Sequence, residues 1–322
     1  MLTFNKLCVI IIFPSLIFTS WWSLKKCNQY HTQTASATHN ATGTSLSFSR
    51  LKLAYIELSE NSNSRLDRRF YLLNFTYRIL QRDYQKNLFS KPILKLATAS
   101  KKIPFWTYWN TGFDRAPLIV KKCNARLQTI LPFDKYELYR LDDKSLNEYV
   151  DLPQQVVNNR KNMAKANYAD LIRIELLTAY GGVWSDSTVY ITSPIPNEVT
   201  EANFFAFKRS KEPVLLSSWF YSVKQPNNIL LLWVRHITHE YWKTHSSQGY
   251  NDHHMIFESL RALLPIAKSI FEMSPWYSAR LAHSLQSIMN RPFNRTTFEM
   301  EKSKSFAQKL TYKKKCTFLS EL

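Results

Sequence analysis

The sequence predicts an open α/β fold, a mostly parallel sheet with flanking helices, and three observations predict it. Strand-like and helix-like stretches alternate from Ile103 onward; the strand-like ones are short, apolar and aromatic; and Gly181-Gly182 joins a helical stretch directly to one of them. Strand, helix, strand, helix, strand is the alternation that builds βαβ units. At 322 residues, 45% hydrophobic and 14% aromatic, the chain can bury a full core as one large domain.

Residues 7–22, LCVIIIFPSLIFTSWW, are almost all apolar and lie between Lys6 and Lys25-Lys26. No small-residue cleavage site follows, so residues 1–26 read as an uncleaved signal anchor, a single-pass membrane tether with Trp21-Trp22 at the interface. Residues 27–50 are Ser/Thr-rich without apolar periodicity and read as a stem. Residues 51–100 carry apolar positions at helical spacing, as in RRFYLLNFTYRILQRDY, and read as a helical extension. The main domain follows at 101–322. Its strands are expected at IPFWTYW, KYELYRLDD, VWSDSTVYI, NFFAFKR and VLLSSWFYSV, and its helices at PLIVKKCNARLQTIL, within residues 152–180, at NNILLLWVRHITHEYWKTH and at HHMIFESLRALLPIA.

The excess of 43 Lys+Arg over 24 Asp+Glu gives a net charge of +19, which calls for an anionic partner. No zinc-finger spacing or aromatic RNP motif accompanies it, so nucleic acid is not the expected partner; an acidic membrane surface or a phosphate-bearing small molecule is. Cys8, Cys27, Cys123 and Cys316 form no C-x-x-C pair, which argues against a zinc ribbon or a thioredoxin-like site. Cys123 and Cys316 are either a disulfide or free thiols. Asn40, Asn74 and Asn294 head glycosylation sequons.

The chemistry concentrates between residues 168 and 191. In NYADLIRIELLTAYGG, Tyr168, Leu171, Ile172, Leu176 and Ala179 share an apolar helix face, while Asp170 and Arg173 are neighbours three residues apart elsewhere on that helix. Gly181-Gly182 stops the helix and the chain turns into a strand. Alternation along that strand puts Trp184, Asp186, Thr188 and Tyr190 on one face. A carboxylate inside a covered parallel sheet is costly, and it becomes tolerable where the strand leaves the sheet, at the edge where open α/β sheets bind ligands. There Asp186, with Thr188 directly or through water, could hold Mg²⁺ or Mn²⁺, the diphosphate of a ligand supplying the remaining oxygens.

The order Asp170-x-x-Arg173, then Gly181-Gly182-Val183-Trp184-Ser185-Asp186-Ser187-Thr188, resembles the capsular-polysaccharide-synthesis group of glycosyltransferases, relatives of the α-1,6-mannosyltransferase and toxin glucosyltransferase superfamily. The likeness runs from about Ile103 to QKLTYK at 308–313 and takes in SSWFYSVKQPNN and the His253-His254 region. It implies a glycosyltransferase type A fold, a nucleotide-sugar donor, a glycan or glycolipid acceptor, and a metal held at an Asp-x-Asp motif. Asp186 matches the first acid of that motif; Thr188 stands where the second acid is expected. The resemblance further implies that Asp170, Arg173, Gly182, Trp184, Ser185 and Asp186 line the donor site. Asp252 and His253 stand in a segment resembling the acceptor side, where a catalytic role is the alternative to helix capping by Asp252.

Trp106 and Trp109, near the end of the first strand, either stack on a nucleobase or pack in the core. His236 and His239 lack the His-Glu-x-x-His spacing of a zinc site and read as packing residues. The late stretch EKSKSFAQKLTYKKK is either a solvated basic tail or a set of lysines reaching a diphosphate, with Ser303 or Ser305 closing over it. The expected protein is thus a membrane-anchored, metal-dependent hexosyltransferase, lumenal in a Golgi-type compartment or at a bacterial inner membrane. The alternative is a non-catalytic, basic, membrane-tethered protein of the same fold that binds carbohydrate or nucleotide sugar.

Overall fold

The computed structural model describes residues 48–60, 66–89, 91–95, 101–209, 216–245 and 249–322. The anchor, nearly all of the stem, Cys8, Cys27 and the Asn40 sequon lie outside the described residues. No helix among the described residues is long and apolar enough to cross a membrane.

In chain order the elements are α1 (Phe48–Glu60), α2 (Leu66–Asp83), β1 (Ile103–Tyr108), α3 (Leu118–Ile130), β2 (Tyr136–Leu141), α4 (Gln154–Asn159), α5 (Lys165–Tyr180), β3 (Gly182–Ser185), β4 (Val189–Ile191), α6 (Asn197–Thr200), β5 (Phe205–Lys208), β6 (Leu216–Val223), α7 (Ile229–Thr244), α8 (Asp252–Leu263), α9 (Pro265–Met273), α10 (Ser284–Ile288), α11 (Arg295–Lys302) and β7 (Ala307–Lys309). Five strands form one sheet in the order β2-β1-β3-β6-β5. β1 pairs in parallel with β2 and β3, and β6 is antiparallel to both β3 and β5, so β6 alone runs against the other four. The mostly parallel sheet with flanking helices is therefore present.

Strand alternation sets the two layers. Phe105, Val183, Phe205 and Phe220 are buried in one core cluster with Leu127 of α3, Val199 of α6 and Phe306. Their neighbours Trp106, Trp184 and Tyr221 are also buried. Helix α5 carries buried residues on nearly every side, because α7 covers the face that a surface helix would show to water. Glu175 on that face accepts from Arg235 at 2.7 Å and pairs with His239 at 2.5 Å, which satisfies a carboxylate that burial would otherwise penalise. Arg69 of α2 lies 3.3 Å from Glu258, and Arg261 lies 2.8 Å from Glu57 of α1, so both leading helices are tied to α8.

Three local expectations change. VWSDSTVYI is two strands: Val189 donates to the Asp186 carbonyl at 2.9 Å, closing a turn at 186–189, and β4 leaves to pair with β7. The alternation through Trp184, Asp186, Thr188 and Tyr190 is broken by that turn. HHMIFESLRALLPIA is two helices, because Pro265 disfavours the helical conformation at Leu264 and starts α9 instead. The basic tail contains a strand, β7. Cys123 and Cys316 are free thiols. His236 and His239 are packing residues, paired with Asp83 at 2.7 Å and Glu175 at 2.5 Å.

The Gly181-Gly182 stop takes positive φ at both residues, +68° and +87°. A Cβ at Gly182 would stand 2.2 Å from the carbonyl oxygen of Pro104 on β1, so only glycine lets β3 approach β1 at this point. Gly182→Ala is expected to destabilise the fold by about 2 kcal/mol or more, measured by urea denaturation. An unchanged midpoint would show that the β1–β3 approach is not fixed here.

Candidate functional site

Strand β3 ends at Ser185, and Asp186 is the next residue, its N–H still donating to the Trp219 carbonyl of β6 at 2.8 Å. The sheet thus fixes the Asp186 backbone while the turn frees its side chain to leave the pleat. Three donors converge on the carboxylate. Arg173 Nη2 and Trp184 Nε1 donate to Oδ1 at 2.8 and 3.0 Å, and Lys309 Nζ donates to Oδ2 at 2.7 Å. Burial alone would raise the Asp186 pKa; Lys309 and Arg173 outweigh it and hold the group below the usual carboxylate range. Asp186 is an anion at neutral pH.

Arg173 is shared. Its Nη1 pairs with Asp170 one helical turn earlier, and its guanidinium lies 5.2 Å from the centre of the Trp184 ring. Asp170 is 6% exposed and Arg173 3%, so the pair is no surface salt bridge. Burial pushes the Asp170 pKa up, against the pull of Arg173.

Lys309 arrives from far along the chain. Strand β7 pairs with β4 in a register that sets Lys309 opposite Val189, and Leu310 donates to the Thr188 carbonyl at 2.9 Å. The ammonium then lies 2.7 Å from Thr188 Oγ1 as well as 2.7 Å from Asp186 Oδ2. It spans the two oxygens that the sequence offers to a divalent cation. Among the described residues no group of three or more His, Cys, Asp or Glu side chains could hold a metal ion.

These residues line a cavity of about 310 Å³, together with Trp109, Arg160, Lys165, Tyr250, His254 and Tyr312. The Arg160 guanidinium stacks 3.8 Å over the Tyr168 ring, and Trp109 packs edge-on against Tyr312 at 5.4 Å, leaving aromatic surface at the rim. His254 is 8% exposed, and its Nδ1 has no hydrogen-bond partner among the described residues. Burial, with His253 beside it, lowers its pKa to about 3, so the imidazole is neutral. A larger groove of about 1250 Å³ runs past Arg209, Arg280, His283 and Arg291. The Asp170, Arg173 and Asp186 cluster is in the smaller cavity, and the Arg209 charge reaches His254 and Tyr250 there as well as His283 in the groove.

The structure brings Trp109, Asp170, Arg173, Trp184, Asp186 and Thr188 together at this cavity. It places the other candidates elsewhere. Trp106 is 1% exposed in the core, stacked on Tyr139 at 4.4 Å with its N–H on the Gly181 carbonyl. Gly182 abuts Pro104, and Ser185 is fully buried inside β3. Asp252 is buried by Arg68 of α2 and accepts from the Gly249 N–H at 2.8 Å; it is the first residue of α8, whose N-cap is Asn251. His253 faces the core, 3.3 Å from the Tyr221 hydroxyl. Ser303 bonds back to its own helix and the Ser305 hydroxyl accepts from the Ala307 N–H at 3.5 Å, and neither residue lines the cavity. Lys309, His254, Arg160, Lys165, Tyr250 and Tyr312 line the cavity without having been singled out by sequence. Of these, Lys309 and Tyr312 stood in the late lysine-rich stretch, and Tyr250 and His254 in the segment around Asp252 and His253, whereas Arg160 and Lys165 carried no signal.

Comparison with models of protein families matches residues 57–321 to the family described as capsular polysaccharide synthesis protein. The curated proteins include no match to the chain.

The two neighbouring imidazoles make stability depend on pH. Burial depresses both pKa values, that of His253 helped by Arg173 and that of His254 by His253. An imidazole kept neutral in the fold, yet free to take a proton near pH 6.5 once unfolded, contributes fully above about pH 6.5 and loses that contribution as pH falls toward its folded pKa. Unfolding free energy from urea titrations between pH 7 and pH 4.5 is expected to fall with a slope of up to about 1.4 kcal/mol per pH unit for each imidazole. His254→Gln should flatten the slope. An unaltered slope would place the proton-linked groups elsewhere.

Proposed function

The chain belongs to the capsular polysaccharide synthesis protein family, and from that premise we propose that it is a glycosyltransferase moving a hexosyl group from a nucleotide sugar to a hydroxyl of a glycan or glycolipid. The observation that carries the reading is the charged cluster at the carboxyl end of β3. Around the cavity, four cations, Arg160, Lys165, Arg173 and Lys309, face two carboxylates, Asp170 and Asp186. The lining therefore has a net charge of +2, which complements the two negative charges of a sugar-linked diphosphate.

In this arrangement the diphosphate lies against Lys309 with Arg160 and Lys165 nearby, and the base stacks at the Trp109–Tyr312 rim. The sugar lies toward Asp170 and the neutral His254, both of which line the cavity. The bond from the anomeric carbon to the phosphate oxygen breaks, and its electron pair stays on the leaving nucleoside diphosphate. The acceptor oxygen forms the new bond to the anomeric carbon and its proton passes to solvent. Cations fixed where charge grows on the leaving group lower the barrier, because they need no reorganisation when the bond breaks. Arg173 acts through its two carboxylates as a positioning residue. The acceptor enters along the larger groove, whose Arg209, Arg280 and Arg291 favour a glycan bearing carboxylate or phosphate groups. The apolar segment at residues 7–22 tethers the enzyme to the membrane where such acceptors are built.

Incubation with a panel of labelled nucleotide sugars and glycan acceptors tests the reading. Asp186→Asn, which releases both Lys309 and Arg173, is expected to lower turnover by about 100-fold or more. Equal turnover in the two proteins would remove Asp186 from the site. No turnover by the wild-type protein, together with no thermal shift from any donor, would reject the transferase reading.

A further inference from the structure

We propose that the Lys309 ammonium takes the place of a divalent metal ion in this protein, neutralising the donor diphosphate without a bound cation. The inference rests on the nucleotide-sugar reading above and deepens it. Its observation is geometric: one ammonium lies 2.7 Å from Asp186 Oδ2 and 2.7 Å from Thr188 Oγ1, the two oxygens at which a metal would have to bind. A Mg²⁺ ion sits about 2.0–2.1 Å from each of its oxygen ligands, so an ion bridging this pair would overlap the ammonium. Metal and lysine exclude each other on steric and electrostatic grounds alike.

The protein has fixed the lysine rather than left it adaptable. Lys309 closes β7, and the pairing of that strand with β4 and the Leu310–Thr188 hydrogen bond tie its backbone to the turn that carries Asp186 and Thr188. The side chain is 18% exposed, and the residue lines the cavity. Gln308, the preceding residue, is fully buried, with its amide donating to the Leu281 and Glu301 carbonyls, each at 3.1 Å, which prevents β7 from sliding. An ammonium has three donors, and Asp186 and Thr188 use two. The third remains for a phosphate oxygen.

The substitution also accounts for the residue at position 188. A second carboxylate beside Asp186 would suit a doubly charged ion. The neutral Thr188 hydroxyl suits a singly charged ammonium, which needs no second carboxylate beside Asp186. In the transfer the electron pair of the broken anomeric bond is received by the phosphate oxygen facing Lys309.

The test is calorimetric titration of the full chain with UDP, GDP and ADP, in EDTA and again with Mn²⁺. At least one nucleoside diphosphate is expected to bind in EDTA, with Mn²⁺ changing its affinity by less than about threefold. Lys309→Met should weaken that binding by about tenfold or more, since a charge-assisted contact is lost, and Lys309→Arg should restore part of it. Binding by the wild-type protein only with Mn²⁺, or strengthened more than about tenfold by it, would overturn the role of Lys309 and leave the donor site standing. No binding under either condition would overturn both. The comparison on the wild-type protein needs no variant, so a poorly folded Lys309→Met protein would not blunt it.

Discussion

The carboxylate of Asp186 is the constraint around which the rest of the site is built. It stands one residue beyond the end of β3, where the sheet still holds its N–H and the turn already frees its side chain. Left alone there, a half-enclosed carboxylate would be driven toward its neutral form. Arg173, Trp184 and Lys309 keep it charged, and each comes from a different element: α5, β3 and β7. Removing it would leave two cations facing each other and would loosen the helix, the sheet and the C-terminal strand together.

That arrangement divides electrostatic work between fixed and available charge. Arg173 is consumed by its two carboxylates, so it orders the floor of the cavity without serving as a free cation. Arg160, Lys165 and the open donor of Lys309 supply the attraction for an incoming anion. The sheet order explains why the two sets meet. β3 is central, flanked by β1 and β6, and its carboxyl end is where Gly181-Gly182 has aimed it. β4 leaves that end only to bring β7, and with it Lys309, back to the same turn.

Much of this was legible in the sequence. The alternation of elements, the glycine stop after α5 and the pressure on Asp186 to sit at a strand end all follow from local pattern, because each depends on residues close together in the chain. Trp109 could be separated from Trp106 only by knowing where β1 stops: Trp106 lies inside the strand and is covered on its face, whereas Trp109 is one residue past it. Asp252 and His253 were misdirected for the same reason. Which face α8 turns to the cavity depends on its packing against α2, where Arg68 claims Asp252, and that turns His254 rather than His253 toward the site. Lys309 was the hardest to see. The three-residue strand Ala-Gln-Lys has no apolar alternation, and its contact with Asp186 spans 123 positions, so only the folded register of β4 and β7 singles out this lysine from its neighbours.

The central claim, that the cavity around Asp186 receives the diphosphate of a nucleotide sugar, is tested most directly by a crystal structure of the protein with a nucleoside diphosphate bound. The account predicts phosphate oxygens within about 3 Å of Lys309 Nζ, with Asp186 and Thr188 still on that ammonium. A diphosphate seated instead among Arg209, Arg280 and Arg291 in the larger groove, with the Asp186 cavity left to solvent, would contradict it.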